Sequence, residues 1–283
     1  MSIRVLLREA TRRLAAAGVP SPRADAELLL AAVLDLPRGS LVHADPPRAD
    51  ELDCFERLLA RRAAREPLQH LTGRVTFRYV ELEVGPGVFV PRPETELLAG
   101  WAVKAVRVAA ADGIGEPVAV DLCTGSGAIA AALAAEAPSA RVHAVELAEP
   151  AHAWAERNLA GSGVDLRLGD IADAFGDLDG HVDVVVANPP YIPLDAYEGV
   201  EVEARTYDPG QALWSGADGL DAIREVERVG ARLLRPGGVL GCEHADVQGV
   251  SAPAVFSRAG RWDRVRDHAD LAGRPRYVTA RRR

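Results

Sequence analysis

Two short segments of the chain combine residue types that can do chemistry. The first runs from Val118 to Ala130 (VAVDLCTGSGAIA), an apolar strand-like stretch leading through glycines into a helical one. Gly125 and Gly127 let a ligand lie against the backbone where side chains would obstruct it, and the helix start offers free N–H groups. Glu146 closes the next strand-like stretch nineteen residues after Gly127, where a carboxylate can accept two hydrogen bonds from ribose hydroxyls. Asp121 and Glu146 together favour a nucleotide-type cofactor over a turn that needs glycine for geometry alone. The spacing Gly125-x-Gly127-x-x-Ala130 also satisfies a relaxed dinucleotide fingerprint, so this loop does not choose the cofactor. Asp170 can receive an adenine amino group with Ile171 packed on the ring; its other reading is a helix N-cap.

The second segment is Asp183 to Tyr191 (DVVVANPPY), a buried strand ending in a polar residue, two prolines and an aromatic. At the end of a central strand these groups face the same crevice as the glycine loop. The carboxamide oxygen of Asn188 and the carbonyl of Pro189 can accept both hydrogens of an incoming NH2 group, fixing its nitrogen in line with a methyl donor. Pro189 and Pro190 fix the backbone and remove competing donors. A planar amide or amino nitrogen is a poor nucleophile, so the site must orient it and stabilise the positive charge that develops there. Tyr191 offers an aromatic face to the flat acceptor and to a sulfonium charge, an effect of about 0.5–2 kcal/mol. A dehydrogenase has no evident use for such a loop.

The elements that hold these segments follow from periodicity. Helices are expected at 3–17, 23–34 behind Ser21-Pro22, and 50–65, giving a small helical bundle. A β-hairpin is expected over 75–90 around Gly85-Pro86-Gly87, linking two domains. From Thr95 a helix leads into alternating strands and helices, the pattern of a parallel sheet covered on both faces. Strands are expected at 118–122, 142–146, 164–168, 182–187 and 239–243. Two more, at 262–266 and 277–280, have no helix between them and form an antiparallel edge. The final Arg281-Arg282-Arg283 reads as a disordered tail.

Composition bounds the rest. The 283 residues, 48% apolar and 26% charged, suit a globular protein with a core, and a count of two domains. Arginines interrupt the apolar positions at the amino terminus, which is unlike a signal peptide or membrane span, so a cytoplasmic protein is expected. Cys54, Cys123 and Cys242 are far apart and the seven histidines lack ligand spacing, so no metal site is expected. A net charge of -8 argues against stable binding of duplex nucleic acid. Residues 1–65 hold eleven arginines against nine carboxylates, so this part is near neutral and its arginines are expected to solvate helices.

With both loops placed, the chain resembles the release factor glutamine methyltransferases, the PrmC or HemK family. The resemblance extends beyond Asn188 to Pro193 (NPPYIP) to Ser21–Leu30 (SPRADAELLL), Glu66–Gly73 (EPLQHLTG), Val90–Glu96 (VPRPETE), Ala217–Asp221 (ADGLD) and Leu234–Gly238 (LRPGG). The NPPY tetrapeptide alone is shared with nucleic-acid amino-methyltransferases, whereas Pro91–Glu96 and the helical amino-terminal part are specific. The resemblance implies an α/β fold: a seven-stranded Rossmann-like class I methyltransferase domain over 93–283, a small five-helix-type substrate-docking domain over 1–74, and a β-hairpin linker over 75–92. It implies transfer of a methyl group from S-adenosylmethionine, leaving S-adenosylhomocysteine, to the glutamine side-chain nitrogen of the Gly-Gly-Gln motif in class I release factors, a modification of the translation termination machinery. By the same resemblance Cys123, Thr124, Gly125, Ser126, Gly127, Glu146, Ile171 and Asn188 hold the cofactor. Asn188, Pro189, Pro190 and Tyr191 hold the glutamine, and Phe89, Arg92 and Thr95 wall the site. Three positions depart from the family pattern: Cys123 stands where glycine is usual, Glu146 where aspartate is commoner, and Ile171 where some relatives have an aromatic. The competing function is methylation of adenine N6 or guanine N2, which needs the base extruded.

Overall fold

The computed structural model describes residues 2–283, and the chain divides into two compact units. The first comprises the residues up to Arg74 together with Glu201–Tyr207; the second comprises Val75–Val200 and Asp208–Arg283.

The first unit holds α1 (Ile3–Ala16), α2 (Pro22–Leu34), α3 (Ala49–Ala63) and the short α4 (Leu68–Thr72), with a 3₁₀ segment at Arg38–His43. Ile3, Leu6, Ala10 and Leu14 recur at three- and four-residue spacing and bury one stripe of α1 against Leu29, Leu30, Phe55 and Leu59. Pro22 opens α2, and Gly73 closes α4 in the left-handed conformation. Into this bundle the chain later returns the segment Glu201–Tyr207, which carries the short helix α8 (Val202–Tyr207). Sequence periodicity gave no sign of that return, because six helical residues are too few to show a period. Electrostatics holds it: Glu203 receives Arg62 at 3.1 Å and Arg65 at 2.7 Å, and buried Arg62 also reaches buried Asp25 at 2.7 Å. The Tyr207 hydroxyl donates to the Ala64 carbonyl at 3.3 Å.

β1 (Arg74–Phe77), which from Val75 onward belongs to the second unit, and β2 (Val80–Glu83) form the expected hairpin, but its turn is at Arg78-Tyr79. Gly85-Pro86-Gly87 does something else. A Cβ on Gly85 would stand 2.6 Å from the Trp154 ring, whose Nε1 donates to the Pro86 carbonyl at 3.2 Å. Glycine is needed there for close approach to an indole.

After α5 (Thr95–Ala111) come β3 (Val118–Leu122), α6 (Ala128–Glu136), β4 (Arg141–Glu146), α7 (Glu149–Asn158), β5 (Asp165–Leu168) and β6 (Val182–Ala187). Beyond α8 the chain adds α9 (Asp221–Leu233), β7 (Leu234–Glu243), α10 (Ser251–Arg258), β8 (Trp262–Ala269) and β9 (Pro275–Arg282). The sheet order is β5-β4-β3-β6-β7-β9-β8, with every pair from β5 to β7 parallel and β9 antiparallel to both neighbours. Ala119, Val184 and Val186 pack with α5 and α6 on one face, while Val120, Leu122 and Val185 pack with α9 and α10 on the other. Both faces are covered, which is why β3 and β6 are buried at every position. Arg281 and Arg282 are not a loose tail: they belong to β9, and Arg282 Nε donates to the Ala231 carbonyl at 3.0 Å. Among the described residues no helix is long and apolar enough to cross a membrane, and no three potential ligands gather for a metal ion.

Removing one member of a buried ion-pair network leaves a charge without its partner, at a cost of about 3–5 kcal/mol. Arg62→Ala is expected to lower the stability of the first unit by about that amount, read as an early transition in thermal or urea unfolding. Glu203→Ala is expected to release its segment, read as faster tryptic cleavage after Arg205.

Candidate active site

Strand register builds the site. Leu122 pairs with Val145 on one side and with Ala187 on the other, and Ala187 pairs with Cys242. The next residues along these four neighbouring strands are therefore Glu146, Cys123, Asn188 and Glu243, in a row across the carboxyl edge of the sheet. Strand order reverses direction at β3, with β4 and β5 to one side and β6 and β7 to the other, so the row spans the switch-point crevice where ligands bind on open α/β sheets.

The glycine loop is tied down from below. Asp121 is fully buried, and its Oδ2 accepts the Thr124 hydroxyl at 2.6 Å and the Ala130 N–H at 3.1 Å, joining the loop to the first turn of α6. Burial pushes the Asp121 carboxyl up to about 7, against the opposing effect of these two hydrogen bonds. The Thr124 N–H reaches the Val145 carbonyl at 3.0 Å, and Asn158 holds the carbonyl of buried Ser126 at 2.8 Å. Glu146 accepts the Gly125 N–H through Oε2 at 2.8 Å and the Ala148 N–H through Oε1 at 2.9 Å. A carboxylate has about four acceptor sites, so two remain for hydroxyl donors. A Cβ added to Gly125 would meet open space, so the loop keeps a free face for a ligand. Cys123 is left-handed at φ 61°, a conformation that suits glycine, and burial pushes its thiol well up, so it is neutral and no nucleophile. Asp170 caps the turn that follows β5, accepting the Ala172 N–H at 2.9 Å through Oδ1, while Ile171 is half-buried against the core.

The acceptor loop carries a defined polarity. Asn188 Nδ2 donates to the Thr95 hydroxyl at 3.2 Å, which turns Oδ1 the other way. Pro189 is buried and Pro190 half-buried. Half-buried Tyr191 donates its hydroxyl to Glu243 Oε1 at 3.3 Å, and burial followed by the Glu243 charge pushes its pKa well above the ordinary range. The Tyr191 carbonyl accepts Gln248 Nε2 at 3.0 Å, and the same amide reaches the carbonyls of Asp218 and Gly219. Gly219 sits at φ 74° with its Cβ position 2.4 Å from the Tyr191 carbonyl, which gives the Ala217–Asp221 motif a physical task.

The three wall residues behave differently. The Arg92 guanidinium lies 4.9 Å above the Phe89 ring and binds Asp208 at 2.6 Å. Thr95, 3% exposed, stands behind Asn188 rather than on an open wall. Asp208, pushed up to about 6 by burial, also accepts the Val90 N–H. Sequence reasoning missed Asp208, Glu243 and Gln248. Only Glu243 carried a signal, as the last residue of a strand beside the one that ends in Asn188. Two of the histidines are internal partners of carboxylates: His143 pairs with Asp165 and His244 with Asp267, each through a ring nitrogen.

Strand order, crevice and row together define a methyltransferase of the seven-stranded α/β class. The hMettl16 catalytic domain, solved in complex with the MAT2A 3'UTR hairpin 6, has the same fold at a TM-score of 0.55, with 15% identity over 80% of this chain and 81% of that one. A PrmC N-terminal domain model matches residues 5–73, and a methyltransferase small domain model matches 109–201. Among individual relatives, the release factor glutamine methyltransferase of Streptomyces coelicolor is 60% identical over 97% of this chain and 96% of its own. That of Mycolicibacterium smegmatis is 47% identical over 99% and 98%. The chain belongs to the release factor glutamine methyltransferase family. The 4-amino-L-phenylalanine/4-methylamino-L-phenylalanine methyltransferase of Streptomyces pristinaespiralis is 42% identical over 90% of this chain and 87% of its own.

Two substitutions check the backbone argument. A non-glycine residue in the left-handed region costs about 1–2 kcal/mol, and glycine costs about 0.5–1 kcal/mol in entropy. Cys123→Gly is therefore expected to leave the melting temperature level or slightly raised, with cofactor binding by calorimetry at least as tight as in the parent. Gly219→Ala forces a Cβ against the Tyr191 carbonyl and is expected to cut turnover several-fold while circular dichroism stays native; unchanged turnover would remove the task given to Gly219.

Proposed function

We propose that this enzyme transfers a methyl group from S-adenosylmethionine to the side-chain amide nitrogen of the glutamine in the Gly-Gly-Gln motif of peptide chain release factors, in the cytoplasm. The observation that carries the reading is the row Glu146, Cys123, Asn188, Glu243, which sets an NH2-accepting loop beside a glycine cradle. The residues present fit the cofactor: Gly125 leaves its loop open, and Glu146 keeps lone pairs for two ribose hydroxyls. Cys123 to Gly127 would hold its amino-acid part, and Ile171 its ring. Asp170 uses one acceptor site in its cap and keeps others for the adenine amino group. When bound, the cofactor supplies an activated methyl group on a sulfonium.

The chain supplies orientation and charge stabilisation. Asn188 Oδ1 and the Pro189 carbonyl accept the two hydrogens of the amide NH2, which points the nitrogen's π face at the donor and opposes the positive charge that develops as delocalisation is lost. Pro190 keeps the loop rigid, Tyr191 lies against the flat acceptor, and Phe89 under Arg92 closes the wall. The extra proton on the methylated nitrogen leaves to water, since neither acceptor is a base. The first unit is the docking surface for the body of the release factor, a role supported by its match to the PrmC N-terminal domain. A second reading, transfer to the arylamine of a small amino acid, has the S. pristinaespiralis relative behind it.

Mass spectrometry of a class I release factor after incubation with enzyme and S-adenosylmethionine is expected to show one added methyl on the motif glutamine, and none when that glutamine is replaced. Methylation of 4-aminophenylalanine with release factors untouched would overturn the reading in favour of the second. Asn188→Ala is expected to lower turnover by about 10²-fold or more, with cofactor affinity far less affected.

A further inference from the structure

Glu243 ends β7 at 1% exposure, directly beside Asn188, and the mechanism above gives it no task. Its Oε1 accepts the Tyr191 hydroxyl at 3.3 Å, and the Thr95 hydroxyl comes close enough to the same carboxyl to favour its ionised form. Its Oε2 is buried without a partner of good hydrogen-bond geometry. Burying a carboxyl so poorly satisfied is costly.

A hydroxyl has one hydrogen. Thr95 Oγ1 accepts from Asn188 Nδ2, so its own hydrogen needs a different acceptor, and the Glu243 carboxyl, whose ionised form the Thr95 hydroxyl favours, can take it. We propose that Glu243 is a positioning residue that sets the hydrogen-bond polarity of the acceptor site, running from Asn188 N–H to Thr95 O–H to the carboxylate and thereby turning Asn188 Oδ1 toward the substrate NH2. Without that acceptor the Thr95 hydroxyl is free to donate to Asn188. The carboxamide then turns over with little cost and presents a donor to a donor. The inference rests on the role given to Asn188 in the proposed reaction.

The other groups facing Glu243 are Tyr191 from the acceptor loop, Glu94 beside Thr95, Arg276 on β9 and Cys242 on its own strand. Burial pushes Tyr191 and Cys242 up, and Arg276 is also raised, so none of these three titrates near neutrality. Glu243 is itself pushed up to about 7 by burial, against hydrogen bonds from Thr95 and Tyr191 and the Arg276 charge. Below that pH it carries a proton, becomes a weaker acceptor and gains an O–H that can donate to Thr95 instead, so the relay loses its fixed polarity and turnover is expected to rise with pH through about 7. Asp121 titrates in the same range, so the profile is read at saturating cofactor and against Glu243→Gln, which leaves Asp121 in place.

Four variants test the proposal: Glu243→Gln, Glu243→Leu, Thr95→Val and the double variant Glu243→Leu/Thr95→Val. Glu243→Leu is expected to lower kcat about tenfold or more, with the KM for S-adenosylmethionine within about twofold of the parent. The double variant is expected to fall no further than the worse single one, because both remove the same relay. Glu243→Gln keeps an acceptor and is expected to recover part of the rate with a flat profile from about pH 6 to 8. Additive losses, or a pH profile unchanged in Glu243→Gln, would overturn the assignment. A second readout needs no substrate: the side-chain amide resonances of Asn188 in 15N-asparagine-labelled enzyme. They are expected to move with pH through about 7 in the parent and to be displaced in Glu243→Leu. Identical resonances in both proteins sink the proposal even if the glutamine reading stands, and displaced ones uphold the relay even if the substrate proves to be another NH2 compound.

Discussion

Parallel pairing of β4, β3, β6 and β7 is the constraint on which the rest depends. In-register parallel strands carry their final residues to one edge, so four chemically unlike side chains from distant parts of the chain become neighbours without any loop having to place them. The loops then need only local conformations: a left-handed turn after β3, and a proline-stiffened exit after β6. Apolar burial on both faces fixes the register, because a one-residue slip would carry the alternating side chains of β3 and β6 to the wrong layer.

That economy has an electrostatic cost. Asp121, Asp208 and Glu243 are all buried near this edge and all have carboxyl groups pushed above the ordinary range, chiefly by loss of water. A carboxyl raised in the folded state favours folding most where both states are protonated, and that contribution is lost as pH climbs through the folded value. The window runs from the ordinary carboxylate range up to about 6 for Asp208 and about 7 for Asp121 and Glu243. The ionised forms that hold the loops in place are therefore the less stable ones, as expected where function rather than packing has fixed the residue type.

Much of this was legible in the sequence, for reasons that can be traced to particular residues. β3 and β6 are mostly β-branched and apolar runs, each with one buried aspartate, and their bounds match the expected 118–122 and 182–187. The hairpin turn was misplaced because Gly85 and Gly87 look like turn residues, when Gly85 instead makes room for Trp154. The arginine-rich end looked like a solvated tail, but β9 needs its backbone, and Arg282 finds a carbonyl at the end of α9. Thr95 was placed on the wall from its motif, while its burial behind Asn188 depends on β7 arriving from some fifty residues downstream of that asparagine. Gln248 was silent for the same reason, and Glu243 showed only its place at the end of a strand: the meaning of both lies in what distant parts of the chain bring beside them.

The helical unit is discontinuous in the chain, since Glu201–Tyr207 completes it from within the stretch that follows the acceptor tetrapeptide. During synthesis its first 74 residues emerge long before Glu203 is made, so Arg62 and Arg65 wait without that carboxylate while most of the sheet is being translated. A graft or truncation cut at residue 74 divides one folding unit, not two. Exchanging the helical bundle between relatives therefore requires exchanging this seven-residue segment as well.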